Sequence, residues 1–289
     1  MSSNIEYGGI TIAIDGVSGS GKSTIAKEVA KRLGLYALDT GAMYRAVTLL
    51  VFENGIDPDD APAVSALAEQ MDLTYSEEED RWFLGDRDVT KALRSDDVNK
   101  IVSLVAANKK VREILVARQR EWVKIHHGGV VEGRDITSVV LPDADLKIYL
   151  TASDEIRSKR RTEQALSEEA PQSEVAEKVL PTDRDRTFLQ SHHDGEMGSV
   201  ETKEETDETD YPGDRIQGID NDKELTADQD FMEELEKQAE LLLARDSIDQ
   251  SREHSPLVIT DDAFVIDTSK MAIEETVNCV IERLYSDKK

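Results

Sequence analysis

The chain is 289 residues long, 38% hydrophobic and 33% charged, and its 61 acidic against 35 basic residues give a formal net charge of −26. That length can bury a sizeable core in one large or two small domains, and the acidic balance argues against general nucleic-acid binding, which needs a basic face. No apolar run approaches the ~20 residues of a membrane span, and the lone Cys279 leaves neither an intrachain disulfide nor a cysteine-rich metal site.

In chain order, Ile10–Ile14 is a β-branched, apolar run that predicts a buried strand. It leads into Gly16–Val17–Ser18–Gly19–Ser20–Gly21–Lys22–Ser23, which fits G-x-x-x-x-G-K-[ST] and is followed by Thr24. Ile25–Leu33 then has apolar residues at helical spacing, with Lys27, Lys31 and Arg32 on the other face. Strand, glycine-rich loop and helix together predict a phosphate site. The glycines let backbone N–H groups turn inward, and the helix N-terminus adds potential favourable to an anion. Lys22 is placed to reach the β- and γ-phosphates, and the Ser23 hydroxyl to ligate Mg²⁺. Binding of a nucleoside triphosphate is expected.

Tyr36–Leu38 reads as a second short strand, and Ala42–Asn54 as a helix ended by Gly55. Residues 57–97 change texture: Leu73–Ser76 and Arg81–Leu84 look like strands, and Gly85–Asp86 makes a hairpin turn before Arg87–Thr90. A small β-rich insert is expected there. Val98–Ala107 and Lys110–Lys124 are helical in pattern, Gly128–Gly129 breaks the second, and Val130–Val131 opens another strand. Leu146–Leu150 is the next strand, Asp154–Arg161 begins a basic helix, and Ala263–Ile266 and Ile273–Leu284 give a last strand and helix, the latter carrying Cys279 as a packed residue. Strands alternating with helices predict a parallel α/β sheet, with ligands gathered beyond the carboxyl ends of its strands.

The acidity is concentrated. Between Glu163 and Glu236 lie 24 of the 61 acidic residues but only 6 of the 35 basic ones. Gln190–Tyr211 has few apolar residues and is expected to be disordered, whereas Phe231–Arg245 regains a helical pattern.

Several constellations follow strand ends or sit on the later helices. In Leu38–Asp39–Thr40–Gly41–Ala42–Met43–Tyr44–Arg45, Asp39 or Thr40 is a plausible helix cap, but Arg45 is not needed for one. Val131–Glu132–Gly133–Arg134–Asp135 places three charged residues beside a strand end, and alone would fit a surface ion pair. Arg157, Arg160 and Arg161 alone would fit a solvated helix face. Arg245–Asp246–x–x–Asp249–x–x–Arg252 alone would fit a helical ion-pair ladder. Gathered around one phosphate loop, these arginines suit bidentate recognition of phosphate oxygens.

On Gly16–Thr24, Leu38–Arg45, Val102–Ser103–x–Val105–Ala106 with Val111–Arg112 and Gln119–Arg120, Val131–Asp135, and Arg245 to Leu257, the chain resembles bacterial cytidylate kinases of the P-loop nucleoside monophosphate kinase superfamily. The resemblance covers about residues 8–163 and 241–285. It implies an α/β fold with a P-loop NTPase-type parallel sheet flanked by helices. It also implies a small β-rich monophosphate-binding insert and a helical lid, here carrying a long acidic, disordered insertion. One kinase domain over 1–289 would divide into a core (1–56, 98–153 and 253–289), an insert (57–97) and a lid (154–252) holding the acidic insertion at about 164–236.

The implied reaction is transfer from ATP, with Mg²⁺, to CMP or dCMP. By resemblance Thr40, Tyr44, Arg45, Ser103, Arg112, Arg134, Asp135, Arg245, Asp249 and Arg252 would bind or orient CMP. Lys22, Arg134, Arg157, Arg161 and Arg245 would serve the transferring group, with Arg160 beside them on the lid. Residues 16–24 would hold ATP and Ser23 the metal. No nucleic-acid, membrane or obligate protein partner is expected, and the setting implied is cytoplasmic. Rival readings are a P-loop kinase for another small acceptor and a nucleotide-binding regulatory protein with a degraded lid.

Two departures from the family pattern stand out: Thr137–Ser138 replaces its usual Gly-Thr, and the segment between Arg161 and Arg245 is far longer than the family's. Thr182–Asp183–Arg184–Asp185–Arg186 mimics the later charge ladder but lacks the Pro-Leu that follows it.

Overall fold

A computed structural model describes residues 9–76, 79–169 and 221–286. In chain order it has β1 (Thr11–Gly16), α1 (Lys22–Leu33), β2 (Ala37–Asp39), α2 (Thr40–Glu53) and α3 (Ala61–Gln70). Then come β3 (Leu73–Ser76), β4 (Arg81–Leu84), β5 (Arg87–Asp88), α4 (Asp96–Ala107) and α5 (Lys109–Ile125). The chain continues with β6 (Gly129–Gly133), β7 (Leu146–Thr151), α6 (Asp154–Glu169), α7 (Asn221–Ser251), β8 (Phe264–Asp267) and α8 (Ile273–Ser286).

Five strands form a parallel sheet in the order β2-β6-β1-β7-β8, and β3, β4 and β5 form a separate antiparallel sheet. Every residue of β1 is buried. Such burial on both faces explains its unbroken apolar run. Ile12 and Ile14 face a core shared with α1 and α8, while Ala13 faces the larger core built from α2 to α5. Asp15 of β1 pairs in register with Gly133 of β6, so the two strands end level. The phosphate loop therefore leaves the sheet beside Gly133, Arg134 and Asp135. Gly16 is required at that exit: its φ is +154°, and a Cβ would lie 2.1 Å from the Leu150 carbonyl oxygen.

The helix ends obey local rules. Asp39 caps α2, accepting from the Ala42 amide at 3.0 Å, and Asn108 caps α5. The insert differs from expectation, because it opens with α3 before its three short strands. Asp60 caps that helix, a proline sits in its first turn, and Val64 and Ala68 bury its inner face. Helix α7 is also longer than the predicted Phe231–Arg245, and includes Arg245, Asp246 and Asp249, with Arg252 just beyond its end. The disorder expected for Gln190–Tyr211 and the mimic at Thr182–Arg186 lie outside the described residues. Among the described residues no helix is long and apolar enough to cross a membrane.

The Thr137–Ser138 departure has a visible consequence. A single π turn spans Ile136–Val140. The fully buried Asp15 carboxylate accepts from the amides of Ile136 and Thr137 at 2.8 and 2.7 Å, and from the Thr137 hydroxyl at 2.6 Å. Burial outweighs these bonds and pushes the Asp15 pKa up to about 6. A glycine at 137 would supply the amide but not the hydroxyl.

Candidate active site

Beyond the carboxyl ends of β1, β2 and β6 lies a cleft of about 860 Å³. One wall is the phosphate loop, Ser18 to Thr24. Lys22 is buried at the start of α1, and its Nζ donates to the Val17 carbonyl at 2.9 Å. Burial, reinforced by the neighbouring Arg134, pushes its pKa down to about 7. Ser23 Oγ donates to Glu132 Oε1 at 2.5 Å. Glu132 is pushed up to about 7 by burial and then by the Asp39 carboxylate. Burial acts on Asp39 in the same direction, but Arg45 and its hydrogen bonds outweigh it and hold that carboxyl below its usual range.

The opposite wall is cationic. Arg134 Nε donates to Asp249 Oδ2 at 2.9 Å, and its Nη1 to the Gly16 carbonyl at 3.1 Å. Burial opposes its charge, yet Asp249 and Asp246 more than offset that. Arg112 and Asp135 form a buried ion pair, and the Arg112 guanidinium lies 5.4 Å from the Tyr44 ring centroid. Arg252 approaches Asp249 Oδ1 at 3.5 Å. Arg245 is held well below the ordinary arginine range by burial and by its neighbours Arg45, Arg134 and Arg161. Among the described residues the buried Nε atoms of Arg45, Arg112, Arg245 and Arg252, and Nη2 of Arg252, have no hydrogen-bond partner. So many buried, under-bonded guanidiniums in one cleft are costly without an anion.

Of the residues singled out from sequence, Ser18 to Thr24, Thr40, Tyr44, Arg45, Ser103, Arg112, Arg134, Asp135, Arg161, Arg245, Asp249 and Arg252 line this cleft. Thr40 does so while its hydroxyl donates to the Glu132 carbonyl at 2.7 Å. Gly16, Val17 and Arg157 do not line it. Val17 and Arg157 instead border a second cavity, of about 570 Å³, behind the loop. The ion-pair ladder that the charges of α7 would fit if taken alone is limited to Arg252 and Asp249, since Asp246 and Asp249 pair with Arg157 and Arg134 from other elements.

Sequence reasoning gave Asp39 only the helix-capping role it does play and Glu132 no role in the site, although both stand at strand ends. It also missed Thr268, Met271, Ile273 and Thr276, which line the cleft near the loop, and Trp82, Leu93 and Arg94 from the insert. Thr268 anchors Arg160, whose Nη2 donates to the Thr268 carbonyl at 2.8 Å. Position just after the last strand was the available signal for Thr268.

Known proteins are similar to this chain in sequence. The profile of the cytidylate kinase family matches residues 12–192 and 217–286. A cytidylate kinase of Mycobacterium avium is 47% identical over 184 residues, which cover 63% of this chain and 80% of that one. Another, of Shouchella clausii, is 35% identical over 276 residues, 95% of each chain. A third, of Acholeplasma laidlawii, is 35% identical over 280 residues, 97% of each. The match runs through the sheet, the insert and the arginine-bearing helices alike, so this chain belongs to the cytidylate kinase family.

Proposed function

We infer that the protein transfers the γ-phosphoryl group of ATP to CMP or dCMP, giving CDP or dCDP and ADP. The observation that carries this reading is a cleft in which a phosphate loop faces a crowd of under-bonded arginines. Phosphoryl transfer passes through a loose transition state and asks mainly for positioning and charge neutralisation. Lys22, Arg134, Arg161 and Arg245 would gather on the transferring group, and residues 16–24 would cradle the donor phosphates. Thr40, Tyr44, Arg45, Ser103, Arg112, Asp135, Asp249 and Arg252 would hold the acceptor. Its base would meet the polar edge of Ser103, Asp135 and Arg112.

The donor set beside the loop suits magnesium. The Ser23 hydroxyl and the Glu132 and Asp39 carboxylates are hard oxygen donors. Bound there, the cation would neutralise charge on the β- and γ-oxygens. The reading treats the chain as one kinase domain, with 57–97 over the acceptor and 154–252 as a lid that excludes water. A cytoplasmic setting suits both the nucleotide substrates and the free Cys279.

The test is an acceptor panel of CMP, dCMP, UMP, AMP and shikimate with ATP and Mg²⁺. Turnover is expected to be highest with CMP or dCMP. Preference for any other acceptor overturns the assignment.

A further inference from the structure

Arg157 stands among the lid arginines in sequence, yet its guanidinium turns away from the cleft, and its contacts describe a different task. Its Nη1 donates to the Ser18 carbonyl at 3.0 Å and pairs with Asp246 Oδ2, and its Nη2 donates to Asp154 Oδ1 at 2.5 Å. Asp246 Oδ1 in turn accepts from the Ser18 amide at 3.1 Å. Carbonyl and amide of one phosphate-loop residue are thus both taken by a single ion pair. The side chains of Arg157 and Asp246 are only 5% and 8% exposed, so water competes weakly for these bonds.

The backbone points the same way. Gly19 has φ +76°, and a Cβ on it would lie 3.0 Å from both the Arg157 Cβ and the Arg157 carbonyl oxygen. The loop therefore rests directly on the first turn of α6. Arg157 comes from the start of α6 and Asp246 from near the end of α7, where the base of that helix pair meets the loop.

We propose that Arg157 and Asp246 are positioning residues that grip the residue-18 backbone from both sides and hold the phosphate loop in the shape that receives ATP. A loop with glycines at 16, 19 and 21 has little intrinsic reason to keep one geometry, and fixing one of its residues restricts the peptides on either side. Asp246 is also flanked on α7 by Arg245 and Asp249, which face the cleft. One helix therefore secures the donor loop with one residue and lines the cleft with its neighbours. The proposal deepens the transfer reading and rests on it.

The experiment measures binding of ATP alone and of CMP alone by calorimetry, for wild type, Asp246→Asn, Arg157→Met and the double variant. ATP affinity is expected to fall about tenfold or more in each single variant, in line with loss of a charge-assisted bond. CMP affinity should stay within about twofold. The double variant should be no weaker than the worse single one, because the two residues act as a unit. Unchanged ATP affinity, an equal loss for both nucleotides, or additive losses would each overturn the proposal. Should the pair-breaking variants fail to fold, Arg157→Lys keeps the charge beside Asp246 but cannot serve all of its acceptors. It is expected to weaken ATP about threefold with CMP unaffected, and an ATP affinity equal to wild type would sink the idea. Failure of the transfer reading would look different: wild-type protein that binds ATP and phosphorylates neither CMP nor dCMP.

Discussion

Lys22 and Glu132 are two buried groups whose pKa values are both moved to about 7, from opposite sides. Between pH 7 and 10.5 the unfolded chain holds a proton on Lys22 that the folded chain lacks, so this group makes stability rise with pH there. Between pH 4.5 and 7 folded Glu132 keeps a proton that the unfolded chain has lost, so this group makes stability fall as pH rises. In urea titrations without nucleotide, wild type should gain on Lys22→Met from pH 7 to 9, by no more than about 1.4 kcal/mol per pH unit. A difference that shrinks with pH would contradict the buried, discharged lysine. Lys22→Met should also lose most turnover while remaining folded.

Arg112 and Asp135 carry a second expectation at the same scale. Both are buried and paired, so replacing either with alanine leaves an uncompensated charge, at a cost of about 3–5 kcal/mol in stability. Each variant should also raise KM for CMP about tenfold or more, in line with loss of a charge-assisted contact, while KM for ATP moves little. Equal effects on both substrates would remove the pair from the acceptor site.

Among the elements, Thr137 offers the cleanest test. Thr137→Val keeps the shape and deletes the hydroxyl that reaches buried Asp15, and should destabilise the fold by about 1.5–3 kcal/mol. Thermal unfolding of that variant at pH 7.5 checks it. What was legible in the sequence follows from where its signals are local. The phosphate loop, the β4–β5 hairpin at Gly85–Asp86 and the strands around them were readable because glycine turns and apolar runs act within a few residues. Helix α3 was passed over, though Asp60 and the following Ala-Pro are an ordinary helix start. The turn of Arg157 away from the cleft was not readable, since it depends on Asp246, 89 positions away, and on the Ser18 backbone. Glu132 was visible as a residue, but its raised pKa comes from burial and from Asp39 on a neighbouring strand.

For the molecule as a whole, the long connection between α6 and α7 should be dispensable for chemistry. Residues 170–220 contain 14 acidic and 5 basic residues, a balance that would repel nucleotide near the cleft. Closure cost grows only with the logarithm of the length of the connecting chain, so a short flexible replacement should change stability little. Replacing 170–220 with a Gly/Ser linker should keep kcat within about tenfold, a barrier change of at most about 1.4 kcal/mol. Arg245→Ala or Arg252→Ala should instead lower kcat/KM by about a hundredfold. Inactive but folded deletion protein, beside active arginine variants, would reverse that ranking.

Helix α7 reaches from Asp246, where it would pivot if it tilted on the phosphate loop, to Asn221, and on the way Lys237 pairs with Asp96 of α4 at 3.2 Å. At 1.5 Å per residue, exposed Met232 sits about 20 Å from that fulcrum, so a tilt of about 10° shifts it by about 4 Å. Any rotation of α7 about Asp246 would be magnified at Met232 by that distance. The single cysteine makes this testable: with Cys279→Ser and Met232→Cys, a dye or spin label at 232 should report a tilt of α7 when ATP or CMP is added, and an unchanged signal would show that the helix stays in place.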